Sequence, residues 1–187
     1  MFTFTEDELQ NAEVGTFNNG KAGIAENVKL RIEARAADAA ANGPDFKLIA
    51  EDTNGNTVDK AFFELSVQSC ANAPYAMDYA KECKKVWALV SKAVEHTGGQ
   101  PIMDFKDQTD FLTRSAAAMG TNPVRIFVNF GSTRSPKDRL QIRGWQPFVE
   151  SMATPIGETK LISSRIDQMV LEQATPEVSE KSADGFF

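Results

Sequence analysis

The sequence predicts a mainly β domain with a helical insertion, an α+β chain built round a small barrel of strands. Three observations carry this. First, two stretches alternate apolar and polar side chains with the period of a half-buried strand. In one, Val28, Leu30, Ile32 and Ala34 oppose Lys29, Arg31, Glu33 and Arg35; in the other, Val124, Ile126, Val128 and Phe130 oppose Arg125, Phe127 and Asn129. Second, between them the apolar spacing changes to three and four residues, through Tyr75, Tyr79, Cys83, Val86, Trp87, Val90 and Val94, which is helical. Third, Gly43-Pro44, Asn54-Gly55 and Gly98-Gly99 punctuate these stretches as breakers.

Taken in order, a short strand is expected near Thr16–Ile24, then the strand of Val28 to Arg35. A second strand starts at Phe46. Asn54-Gly55 supplies a tight turn, since both residues tolerate positive φ. A third strand, Val58 to Val67, returns with Ala61, Phe63 and Leu65 on one face. The main helix follows Pro74, with Tyr75 and Tyr79 read as core, Lys81, Lys84, Lys85 and Lys92 on its wet face, and Gly98-Gly99 as its stop. A shorter helix spans Gln108 to Met119, with Asp107 as N-cap. The hairpin Val124 to Trp145 closes the set. Three strands, a helical insertion and two strands is the order of an OB-fold, a five-stranded Greek-key barrel with its helices between strands 3 and 4. The expected division is an OB-fold domain over 1–150, a C-terminal extension with a possible short helix over 151–171, and a flexible acidic tail over 172–187.

The chain has 187 residues, 42% of them hydrophobic, enough for a sizeable core. No apolar run reaches the roughly 20 residues of a membrane span, and the opening MFTFTEDELQ lacks the basic and apolar regions of a signal peptide. Cys70 and Cys83 have no metal or redox spacing; two cysteines allow one disulfide, but their usage points rather to a reducing compartment. Net charge is −6 but unevenly spread: −7 over residues 1–78, +5 over 79–145 and −4 over 146–187. An acidic chain still presents a basic site, because screening limits distant charges to roughly 10 Å at 0.1 M salt.

The basic third contains the hairpin, whose second face carries three arginines, two aromatics and two amides. Guanidinium groups contact phosphates, and aromatic rings stack on unpaired bases. The candidate set for single-stranded nucleic acid is therefore Arg125, Phe127, Asn129, Arg139, Gln141, Arg143 and Trp145, with Arg134 and Lys137 at the hairpin tip. Lys29, Arg31 and Arg35 join them, because the first strand of such a barrel adjoins the binding face. A solvated strand face, or a second layer such as the helix around Trp87, is the competing account of the same residues. Enzymatic chemistry finds no motif: His96 is the only histidine, no Cys/His cluster has zinc spacing, and no phosphate-cradling glycine loop or G-x-S-x-G occurs. No cofactor or metal is expected.

The C-terminal EVSEKSADGFF joins Glu177, Glu180 and Asp184 to Phe186 and Phe187. With the element order of about residues 14–148, it resembles the single-stranded-DNA-binding proteins of tailed bacteriophages. The likeness is architectural and rests on no long motif. It implies an OB-fold that coats single-stranded DNA without sequence preference in phage replication, recombination and repair, in the cytoplasm of a bacterial host. It also implies that Asp184, Phe186 and Phe187 recruit replication or recombination proteins, and that the tail competes with DNA for the basic groove. Lys181 among four acidic residues from Glu172 onward makes this tail weaker than a fully acidic one. A homodimer is compatible with this reading. Two alternatives stay open: a virion or assembly protein using the barrel for protein contacts, and a recombination mediator that anneals strands.

Overall fold

The computed structural model describes residues 16–36, 43–73, 77–130 and 140–162. Six strands form one antiparallel sheet: β1 (Gly23–Ala34), β2 (Phe46–Glu51), β3 (Thr57–Phe62), β4 (Val124–Phe130), β5 (Leu140–Ile142) and β6 (Val149–Ser151). The hydrogen-bonded order is β3-β2-β1-β4-β5, with β6 also on β4. β3 and β5, the two ends of that path, lie alongside each other, so the sheet curls into a nearly closed OB-like barrel. Three helices, α1 (Val67–Ala71), α2 (Tyr79–His96) and α3 (Gln108–Ala118), all fall between β3 and β4. This is the expected class.

β1 is the hinge of the barrel. Its second half pairs with β2 from Lys29↔Glu51 to Ala34↔Phe46, and its first half pairs with β4 from Gly23↔Val128 to Val28↔Val124. The register shifts between Ala25 and Val28, where Asn27 takes φ 56°. Such a bulge bends a strand and lets it serve two halves of a barrel. The expected separate strand near Thr16–Ile24 is absent: Phe17–Gly20 is a 3₁₀ turn, Asn18 and Asn19 have positive φ, and β1 simply starts early.

The β2–β3 turn forms where Asn54-Gly55 predicts it. Gly55 has φ 82° and donates its N–H to Asp52 O at 3.1 Å. Asp52 Oδ1 accepts from the Asn54 and Asn56 amides, both at 2.9 Å. Burial pushes the Asp52 carboxyl up, but hydrogen bonds led by Asn56 outweigh it and hold the group below its ordinary range. The register set by this turn places Val58 and Phe62 in the core, not Ala61, Phe63 and Leu65; Phe63 is exposed.

β3 stops at Phe62, earlier than the expected Val67, because Ser66 and Ser69 cap α1 reciprocally. α2 starts at Tyr79, where the Asp78 side chain accepts from Lys81 N–H. It buries Cys83, Leu89, Val90, Ala93 and Val94 and keeps Lys81, Lys84, Lys85 and Lys92 outside, as its periodicity predicts. Tyr79 is exposed rather than core, and Tyr75 lies outside the described residues. α3 matches its predicted span and cap. The ends of α2 and α3 meet backbone to backbone: a Cβ on Gly99 would stand 2.0 Å from Ala118 O, and one on Gly120 2.0 Å from Thr97 O. Among the described residues no helix is long and apolar enough to cross a membrane.

Candidate nucleic-acid interface

The alternation in β4 predicts one core face and one open face. The structure buries both. Val124, Ile126 and Val128 are fully buried on the inner face, and Arg125 and Phe127 on the outer are 4% and 1% exposed. What covers the outer face is the chain's own continuation, residues 151–161, which lies across it as a strap and ends in the fully buried Leu161. Helix α2 packs its Leu89, Val90, Ala93 and Val94 into the same core as the inner-face Val124, Ile126 and Val128, and its Trp87 packs edge-on against Phe105 at 4.8 Å.

Under the strap Arg125 is enclosed by acids. β6 places Glu150 directly opposite it, and the β1 bulge presents Glu26 from the other side. Arg125 Nη1 donates to Glu150 Oε1 at 2.7 Å and to Thr154 O at 3.0 Å, and Nε donates to Glu26 Oε1 at 2.8 Å. The hydrogen bond to Glu150, reinforced by Glu26, raises the guanidinium pKa against the opposing effect of burial. Glu150 in turn accepts from Thr159 Oγ1 and from Lys160 N–H, which ties the strap down. An arginine with both its charge and its donors satisfied inside has none to offer a phosphate.

Arg143 is a correction of the same kind. β5 ends at Ile142, and Phe127 is answered by two residues: Arg143 N–H donates to its carbonyl at 3.1 Å, while its own N–H donates to Phe148 O at 2.8 Å. Gly144 to Pro147 therefore loop out of a strand that resumes as β6. The fully buried Arg143 lays its guanidinium 4.2 Å from the Phe127 ring centroid. Its Nη2 donates to Leu161 O at 2.7 Å and to Pro147 O. Arg125, Phe127 and Arg143 thus hold the strap to the barrel, and the stacking role expected for Phe127 has no open ring face.

Trp145 rides on the looped-out segment and is 55% exposed. The loop is anchored beside it, where Gln146 Nε2 donates to Ala88 O of α2 at 3.1 Å, and the Gln146-Pro147 bond is cis. The Arg143 guanidinium lies 5.8 Å from the indole centroid. Asn129 and Gln141 are cross-strand partners at the far end of β4, both partly buried, and Asn129 Oδ1 has no hydrogen-bond partner among the described residues.

On the outer face of β1–β3 the basic residues are matched by acids. Arg31 pairs with Glu33 at 2.6 Å and Glu51 at 2.7 Å, and its hydrogen bond to Glu33 raises its pKa. Lys47 pairs with Asp59 at 3.0 Å and Arg35 with Asp45 at 3.1 Å. Lys29 is exposed and lines a cleft of about 400 Å³ with Arg31, Glu51 and the Gly120–Asn122 linker. Arg134, Lys137 and Arg139, and the tail residues Asp184, Phe186 and Phe187, lie outside the described residues. Among the described residues no cluster of three His, Cys, Asp or Glu side chains is placed to hold a metal.

The structure also brings forward Lys60, which is not among the site residues the sequence predicts. It lies in the inner row of β3 between Val58 and Phe62, and its Nζ reaches the backbone of Gly144. A lysine alternating in phase with two core residues was the signal. In comparisons with known proteins, no family model, no curated protein and no solved structure matches this chain.

Proposed function

We propose that this chain binds single-stranded DNA without sequence preference, as a non-catalytic protein of phage-type replication, recombination or repair. The observation that carries the reading is Trp145, a large aromatic held out to solvent on an anchored loop at the rim of an OB-like barrel. Barrels of this topology present strand faces and rim loops to oligonucleotides, and an exposed indole is a sequence-tolerant stacking platform. Lys29, beside the cleft on β1, supplies a cation on a neighbouring face. The β4–β5 connection contributes Arg134, Lys137 and Arg139 by sequence. The terminal Asp184, Phe186 and Phe187 are proposed to dock replication or recombination proteins.

The test is a fluorescence titration with oligo(dT) over a salt series. Quenching should come from Trp145 and vanish in Trp145→Phe, since Trp87 is packed against Phe105. Affinity should fall with salt at a log–log slope of about −0.7 per neutralised phosphate. Absent or salt-independent binding counts against the proposal. Deleting residues 184–187 tests the tail separately: partner capture should be lost while DNA binding persists or strengthens.

A second reading, a barrel used for protein contacts, is favoured by one observation. The outer face of β1–β3 neutralises Arg31, Arg35 and Lys47 with its own acids, which weakens its pull on a polyanion. On that reading the oligonucleotide titration is flat and Trp145→Ala disrupts a protein complex instead.

A further inference from the structure

Lys60 occupies a position where the fold calls for an apolar side chain. Its row on β3 is Val58, Lys60, Phe62, with Val58 8% and Phe62 4% exposed, and its cross-strand partner Leu48 is fully buried. Among the described residues no carboxylate forms an ion pair with its ammonium and no acceptor bonds it, and burial lowers its pKa. Lysines often run an aliphatic stem over apolar surface and release the charge to water. Here the stem leads instead into the seam between β3 and β5, and Nζ stops 3.0 Å from where a Cβ on Gly144 would stand. A partly desolvated charge with no counter-charge is a standing cost to the fold. An anion drawn into the seam relieves it.

The surroundings say which kind of anion. Gly144 keeps the approach to the ammonium clear, because a side chain there would press on Lys60. The next residue in the chain is Trp145, so the Lys60 ammonium lies against Gly144, the immediate chain neighbour of an open indole. A nucleotide carries the matching pair, a phosphate and a flat base on one sugar. We propose that Lys60 and Trp145 form one nucleotide subsite, the ammonium taking a backbone phosphate and the indole stacking on the adjoining base. This subsite rests on the single-strand reading above and gives it a specific anchor.

The experiment compares the full chain with Lys60→Met, Lys60→Gln and Trp145→Ala by oligo(dT) binding over a salt series, with thermal melts alongside. Both Lys60 variants should bind with a salt slope shallower by about 0.7, the loss of one phosphate contact. Lys60→Met should melt no lower than the parent chain, since it removes an uncompensated charge from an apolar row. Trp145→Ala should weaken binding about 5- to 150-fold. Inorganic phosphate at matched ionic strength should not displace the oligonucleotide. A parent chain that binds, with Lys60 variants of unchanged slope, overturns the subsite and leaves the single-strand reading intact. Displacement by inorganic phosphate overturns it in favour of a free-anion site. A parent chain that binds no oligonucleotide overturns both.

Discussion

Two places on this barrel bring a cation to a segment that carries an aromatic residue, and they differ in what satisfies the cation. On the outer face of β4, Arg125 and Arg143 flank Phe127, and every one of these side chains is buried under the 151–161 strap. At the β3–β5 seam, Lys60 stands beside the loop of Trp145 with no ion-pair partner among the described residues. By composition the first looks like the better nucleic-acid surface. By partnership it is the worse one. A basic, aromatic strand face is a binding face only if its charges are not already spoken for, and the partners here come from far along the chain.

That contrast can be broken or sharpened by measurement. The largest effect is expected for Arg125→Ala, which strands Glu150 inside the protein. Removing one member of a buried pair typically costs about 3–5 kcal/mol. Urea denaturation should show a loss of this size, while the folded fraction keeps its oligonucleotide affinity. A stable variant with weakened DNA binding would reverse the roles assigned to the two places. Leu161→Ala comes next. It empties a fully buried site where the strap meets Arg143, and about 2–5 kcal/mol is expected from a Leu→Ala change of this kind. A loss well under 1 kcal/mol would mean that the strap is not part of the folded unit.

Arg31→Ala should matter far less. Its pairs with Glu33 and Glu51 lie at the surface, with its side chain 43% exposed, so a change of at most about 1 kcal/mol is expected, reduced by added salt. The smallest effect belongs to His96, at the end of α2. Burial lowers its pKa, opposed by Glu95, assisted by Lys92 and opposed again by Glu150. The folded state therefore prefers the neutral imidazole. Its contribution is complete above the ordinary histidine range near pH 6.5 and is lost as pH falls below it. His96→Gln should flatten the melting temperature against pH in that window; an unchanged profile would remove His96 from the account.

Much of the barrel was legible because strand and helix periods are local properties. Val124 to Phe130, the Asn54-Gly55 turn and the helix capped by Asp107 emerge where their residues place them. What stayed hidden depends on contacts between distant segments. Alternation in Arg125-Ile126-Phe127 separates two faces but does not say that residues 151–161 return to cover one of them. Strand β6 is three residues long, too short to announce itself beside Pro147. The phase of β3 follows from the turn register rather than from its own composition, and with it the placement of Lys60. By alternation Trp145 shares a row with Arg143, yet it is open because the strand has already been left behind at Ile142.

The split answer to Phe127 has a consequence for how such a chain can change over evolutionary time. Because Arg143 and Phe148 together complete the ladder opposite one residue, Gly144 to Pro147 form a parenthesis in the strand. Text inside a parenthesis can be rewritten without disturbing the sentence around it, so long as the words that tie it down, here Gln146 to Ala88 O and Pro147 O to Arg143, are kept. The barrel can therefore exchange what it displays at this rim, Trp145 included, while β4, β5 and β6 keep their register.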